Sequence, residues 1–230
     1  MRAPMRPTSD GAVTMLVALT TCLSTIGLAV CLLLNPIWVG FEQGRSGVTE
    51  LTGYSDQQVQ QVTGSVLSDL VFGPPDFDVS VDGAPVLTDR ERDHMVDVRG
   101  AFALAGLAMA AALAVLVGVG LVRRKRRSYW RGVRAGALLT IGVVAVVGAF
   151  CLLFFDQAFE LMHRLFFETG SYSFDPRTDR LVQLFPDQFW FDSAMALGVA
   201  VVALSGGIIL VSGRLAAASL DQPSAEAARP

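Results

Sequence analysis

Residues 101–155 read AFALAGLAMAAALAVLVGVGLV, then RRKRRSYWR, then GVRAGALLTIGVVAVVGAFCLLFF. The first block, Ala101–Val122, carries no charge. The third, Gly132–Phe155, carries only Arg134, placed where its long stem reaches the boundary. Each block is about 20 residues long, which at about 1.5 Å per helical residue spans a hydrocarbon layer of roughly 30 Å. Two apolar spans joined by a short basic turn predict an antiparallel pair of transmembrane helices.

The same pattern recurs at Ala12–Leu34 and Ser193–Gly213. Apolar residues make up 52% of the 230 and charged residues 17%. A soluble domain carries about 25% charged residues, so the composition indicates a membrane protein. The expected fold is all-α with four transmembrane helices, 12–34, 101–122, 132–155 and 193–213, in a single membrane domain.

Arg123, Arg124, Lys125, Arg126, Arg127, Arg131 and Arg134 crowd the turn at 123–131, Arg2 and Arg6 precede the first span, and Arg214 and Arg229 follow the last. Basic residues mark the cytoplasmic side. The turn and both termini are expected inside, and segments 35–100 and 156–192 outside. Those two segments hold 18 of the 21 acidic residues. A basic cluster also suits nucleic acid or anionic lipid. Its place at two helix ends favours the topological reading, and no nucleic-acid partner is expected. Cys22, Cys31 and Cys151 lie inside spans, so neither outer segment can form a disulfide. Leu32, Leu33 and Leu34 continue the first span past Cys31, which reads as a retained helix rather than a cleaved leader.

The larger outer segment is expected to mix helix and short strand. Asn35-Pro36 ends the first helix. Ser55 is a candidate cap before Val59, Val62, Val66, Leu67 and Leu70 at helical spacing. A strand and turn is expected around Asp78–Gly83. Thr88 with Glu91 forms a capping box that opens one helix running into the second span. The smaller outer segment is expected to continue the third helix through Phe155, Phe159, Met162 and Phe166 to a stop at Gly170. Leu181, Val182, Leu184 and Phe185 are expected to dip into the membrane interface. Residues 1–11 and 215–230 are expected to lack regular structure.

Both histidines, His94 and His163, fall just beyond a span on the outer side. Histidine is the side chain suited to proton transfer near neutral pH. Asp97 follows His94 at i+3, as His163 follows Glu160, so each imidazole has a carboxylate neighbour on its helix. The second and third spans are antiparallel neighbours, which allows the histidines to converge. Arg99 and Tyr172 are candidate substrate or oxyanion contacts with Glu160. Two histidines and a carboxylate also suit zinc, although no HExxH is present.

Glu91-Arg92-Asp93-His94-Met95-Val96-Asp97-Val98-Arg99 fits E-x-x-H-x-x-D-V-K/R. Phe159-Glu160-Leu161-Met162-His163-Arg164-Leu165-Phe166-Phe167 follows, then Phe174-Asp175-Pro176, Leu184-Phe185-Pro186 and Phe189-Trp190-Phe191-Asp192. In this order and at these helix ends, the motifs resemble the bacterial membrane-protein family that includes the lipoprotein intramolecular transacylases. The chain departs from that family after Phe166-Phe167, where Ser171-Tyr172-Ser173 stands in place of a frequent tryptophan.

The resemblance implies an acyltransferase of the bacterial cell membrane with its active face outside the cytoplasm. It would move the sn-2 acyl chain of a diacylglyceryl lipoprotein to the amine of its N-terminal cysteine. The implied partners are that lipoprotein and membrane lipid, with no cofactor and no metal. The functional histidines map onto His94 and His163, with Asp97 in support. Two other readings stay open on the residues: a non-enzymatic membrane subunit or sensor, and a zinc-dependent membrane hydrolase. Oligomeric state is open as well.

Overall fold

A computed structural model describes residues 9–124 and 126–218. Arg2, Arg6, Lys125 and Arg229 fall outside them. The elements are α1 (Ser9–Leu33), α2 (Pro36–Arg45), α3 (Val48–Thr52), α4 (Asp56–Val71), β1 (Ser80–Val81), β2 (Ala84–Pro85), α5 (Asp89–Arg123), α6 (Arg127–Leu153), α7 (Phe155–Phe166), α8 (Arg180–Leu184) and α9 (Asp187–Ala218). Four of these helices, α1, α5, α6 and α9, are long and apolar enough to cross a membrane. Their outward surfaces are apolar: Leu104 is 69% exposed, Val146 74% and Val199 71%. Such surfaces suit lipid rather than water. Helix reaches Ser9 and Ala218, which corrects the expectation of no regular structure over 9–11 and 215–218.

The chain divides into two compact units. One contains α1 up to Ala29, Leu107–Val146, and α9 from Val199 on. Here α1 and α6 approach closely because α6 offers glycines one turn apart. A Cβ on Gly132 would lie 2.9 Å from the Thr14 carbonyl oxygen, and one on Gly136 would lie 2.7 Å from Thr21 Cβ. Small residues at i and i+4 let helices pack by backbone contact where lipid supplies no hydrophobic drive. Val17, fully buried, packs with Tyr129 and Val133, and the Tyr129 hydroxyl donates to the Leu116 carbonyl at 3.2 Å.

The other unit is Val30–Gly106 with Val147–Gly198. Its core joins Val59, Val62, Val66 and Leu70 of α4 to Phe77, Val79, Val81, Val86, Leu87, Met95, Leu181 and Leu184. Ser55 caps α4 in a reciprocal box with Gln58. Asp82 and Gly83 form the hairpin turn with φ of 52° and 81°. These left-handed angles suit the twist of a two-residue hairpin. Buried Gln43 accepts from Thr63 Oγ1 at 2.9 Å and donates to the Leu184 carbonyl at 3.0 Å, tying α2, α4 and α8 together.

Several expectations are corrected. Asn35 is a start signal as well as a stop: its Oδ1 accepts from the Ile37 and Trp38 amides at 3.0 Å, with Pro36 in the first turn of α2. The third long helix does not continue through Phe155. Phe154 leaves helical geometry at φ −143°, ψ 51°, and α7 begins afresh. Helix α7 ends at Phe166, and Gly170, at φ +94°, serves a later turn. Leu181 and Leu184 do not dip into an interface. They lie in the protein core, 7% and 0% exposed, because α8 packs on α3 and its Leu181 amide is held by Glu91 of α5.

Candidate active site

All the residues of the site belong to the Val30–Gly106 and Val147–Gly198 unit. The start of α5 is fixed first. Glu91 is fully buried, and its Oε2 accepts from the Thr88 amide at 2.7 Å and the Thr88 hydroxyl at 2.8 Å. Its Oε1 accepts from the Leu181 amide at 2.6 Å. One carboxylate thus caps α5 and holds α8 against it, and His94 follows three residues later.

Helix α7 brings the second histidine. It is amphipathic and contributes no buried residue, with Leu161, Leu165 and Phe166 exposed. His163 Nδ1 lies 2.9 Å from the Phe159 carbonyl oxygen. A carbonyl only accepts, so Nδ1 carries the hydrogen and Nε2 of the neutral ring presents its lone pair.

The two imidazoles stack at 6.1 Å between centroids with 20° between planes. Phenylalanines surround them. Phe167 is 4.9 Å from His94 and 5.5 Å from His163. Phe174 is 5.4 Å from His94, and Phe159 is 4.3 Å from His163.

This setting separates the two rings chemically. His94 is 6% exposed, and among the described residues its Nδ1 has no hydrogen-bond partner. Burial lowers its pKa to about 4; the His163 charge pushes the same way and Asp97 opposes. His94 is therefore neutral at neutral pH. His163 is half-buried.

The remaining sequence-derived candidates divide. Tyr172 packs its ring 5.0 Å from His163, and its hydroxyl donates to Glu160 Oε1 at 3.2 Å. Burial and the Glu160 carboxylate hold the phenol above its ordinary pKa. Asp97 is exposed, and since His94 Nδ1 is unpartnered it acts on the ring through its field alone. Arg99 Nη1 is committed elsewhere, to the Asp69 and Gly73 carbonyls at the end of α4.

Sequence reasoning missed Arg90, Phe167 and Phe174 as parts of the site. Arg90 lies 4.7 Å over the Phe174 ring and donates to the Ser173 carbonyl. Among the described residues no group of three or more His, Cys, Asp and Glu is placed to hold a metal ion. An open polar cleft of about 620 Å³ runs along α4 past Gln60, Ser68, Asp69 and Asp76, and neither histidine lines it.

The same fold occurs in solved proteins. The integral membrane lipoprotein intramolecular transacylase Lit from Bacillus cereus superposes with a TM-score of 0.77 at 21% identity, over 93% of this chain and 98% of that one. A histidine-to-arginine variant of that enzyme matches with a TM-score of 0.73 at 21% identity, over 93% and 95%. A histidine-to-alanine variant matches at 0.73 and 20%, over 93% and 96%. No curated protein matches the chain. Residues 14–190 match the model of the family described as lipoprotein intramolecular transacylase Lit, and the chain, a multi-pass membrane protein, belongs to that family.

Proposed function

We propose that this protein moves the sn-2 acyl chain of a diacylglyceryl lipoprotein onto the α-amine of the lipoprotein's N-terminal cysteine. The observation that carries the reading is the meeting of His94 and His163, from motifs far apart in sequence, at 6.1 Å inside a phenylalanine-lined site. Membership of the Lit family supports it.

The reaction needs a base, because an α-ammonium has a pKa of about 8 and cannot attack while protonated. His163 offers the Nε2 lone pair for that proton, with its ring orientation fixed through Nδ1. The freed amine then attacks the ester carbonyl within the same molecule, where proximity supplies much of the advantage. His94 stays neutral and donates an N–H to the developing oxyanion, as a neutral imidazole does best when its charged form is disfavoured. One of the two protons that the nitrogen sheds on becoming an amide passes through the His163 imidazolium to the departing sn-2 oxygen, and the other leaves to solvent. The chain needs no acyl carrier for this exchange. Asp97 opposes the downward shift of His94 through space, and Glu160 holds Tyr172 beside His163.

The membrane arrangement follows the basic residues. Turn 123–131 and both termini are cytoplasmic, 35–100 and 156–192 are extracytoplasmic, and the spans are 12–34, 101–122, 132–155 and 193–213. His94 precedes Ala101 by about two helical turns, which supports a site at the outer-leaflet boundary. There a lipoprotein keeps its acyl chains in the bilayer and its cysteine amine at the surface. The exposed apolar residues of α7, Leu161, Leu165 and Phe166, suit contact with the acyl chains.

Mass spectrometry of a reporter lipoprotein's N-terminal peptide tests the reading. Expression of this protein converts the free amine to an N-acylated, lyso form. His94→Ala and His163→Ala each abolish conversion. Unchanged N-acylation in both variants overturns the assignment.

A further inference from the structure

Between α7 and α8, residues 167–179 form an irregular strap, and two side chains from helices pin it. Glu160 of α7 accepts the Tyr172 hydroxyl at 3.2 Å. Arg90 of α5 does more. It donates to the Ser173 carbonyl, covers the Phe174 ring at 4.7 Å, and pairs with Asp179 at 3.7 Å. Phe174 in turn lies 5.4 Å from His94. Nothing in the proposed proton transfers uses Arg90, yet it covers the ring that lies against the histidine and that also packs on the core of this unit.

The choice of nucleophile makes the ring matter. In transfer, the amine nitrogen bonds to the carbonyl carbon and the sn-2 C–O bond breaks; of the two protons the ammonium sheds on becoming an amide, one ends on the departing oxygen and one is released to solvent. In hydrolysis, the oxygen of water takes the nitrogen's place at the same carbon. The same C–O bond breaks, a water proton reaches the departing oxygen, and a free fatty acid and a lyso lipid with an unmodified amine result. A histidine pair serves either reaction. Exclusion of water decides between them.

We propose that Arg90 is a positioning residue that sets this choice: by clamping the Ser173 carbonyl and holding Phe174 against His94 it keeps bulk water from the ester, so the amine takes the acyl group. The proposal rests on the transacylase reading, and the tests separate the two. Arg90 does not touch the reacting atoms. The charged or titratable groups that act on His94 are His163 from α7, with Tyr172 against His163 from the strap, and Asp97 from α5 itself; Arg90 reaches His94 by way of Phe174. Burial is the largest cause of the lowered His94 pKa, so opening the strap raises it.

The experiment uses the full chain in lipid nanodiscs with a synthetic diacylglyceryl lipopeptide, and compares wild type with Arg90→Ala, Arg90→Lys and Phe174→Ala. Mass spectrometry counts N-acyl product against free fatty acid. A cation over an aromatic ring in a half-exposed setting biases a contact modestly, so the fatty-acid share rises about threefold to tenfold in Arg90→Ala. Phe174→Ala rises as much, and Arg90→Lys, which keeps the charge without the planar fork, rises less. A merely structural defect lowers both products together and leaves the share unchanged, which overturns the proposal. The second readout needs no activity. The chain has two histidines, so their imidazole resonances are assigned by substituting one at a time and titrated in each variant. The His94 midpoint rises from about 4 toward 6.5 in Arg90→Ala and Phe174→Ala. A midpoint unmoved in both overturns the clamp. If wild type forms no N-acyl product, the transacylase reading fails, and the clamp stands or falls on the titration.

Discussion

Glu91 Oε1 accepts the Leu181 amide at 2.6 Å while Oε2 accepts the amide and hydroxyl of Thr88. A single buried carboxylate thereby sets the first turn of α5 and the position of α8, on either side of the histidine site. Glu91→Ala leaves the Leu181 amide buried and unpartnered and removes the cap. A loss of about 2–4 kcal/mol in stability is expected, read as a lowered thermal midpoint in detergent. Glu91→Gln, which keeps one acceptor oxygen, falls between. A midpoint unchanged in Glu91→Ala contradicts the bridging role.

His94 gives stability a pH dependence of known sign. Its pKa is lowered by burial from 6.5 to about 4 in the folded chain. Between these values the unfolded chain binds a proton that the folded chain refuses. The stabilisation is complete above pH 6.5 and is lost as pH falls toward 4, on the order of 3 kcal/mol in all. Denaturation measured across pH 4–7 shows this slope in the wild type. His94→Gln flattens it; a slope that persists unaltered assigns the titration to another group.

Gly136 lets α6 lie against α1. A Cβ there meets the Ala18 carbonyl oxygen and Thr21 Cβ, both parts that cannot swing aside. Gly136→Val is expected to destabilise by about 1–3 kcal/mol or more, seen as a lower melting temperature and earlier aggregation. Gly142 meets nothing within 4 Å in the same helix, so Gly142→Val has a far smaller effect. Equal effects at the two positions contradict helix approach as the reason for glycine.

What the sequence made legible was local. Apolar length exposed the four long helices, Ser55 as a cap and Thr88 with Glu91 marked two helix starts, and Asp82-Gly83 marked the hairpin. Each signal lies within a few residues. The break at Phe154 had no such signal, because Phe154 and Phe155 suit a continuing helix as well as a broken one. Asn35-Pro36 did carry one: proline after an asparagine opens a helix, and α2 follows. The pairing of Arg90 with Ser173 and Phe174 was invisible, since it joins a helix to an irregular segment 83 positions on. Arg99 shows the same limit from the other side. Proximity to His94 in sequence suggested chemistry, while the end of α4, which claims its guanidinium, is placed only by the folded core.

Arg99 is accordingly expected to matter for stability rather than turnover. Its Nη1 donates to the Asp69 carbonyl and, at 2.7 Å, to the Gly73 carbonyl. A cation there satisfies the last acceptors of α4 and complements the negative end of the helix. Arg99→Ala removes both bonds, which costs about 1–3 kcal/mol, and Arg99→Lys returns part of it. Loss of an oxyanion donor has a different signature: it lowers kcat by about a hundredfold to a thousandfold with the fold intact. Turnover per folded molecule, with folding followed by melting temperature, separates the two. Turnover within about twofold of wild type beside a lowered melting temperature supports the helix-end role. A hundredfold fall in turnover at an unchanged melting temperature returns Arg99 to the reacting centre.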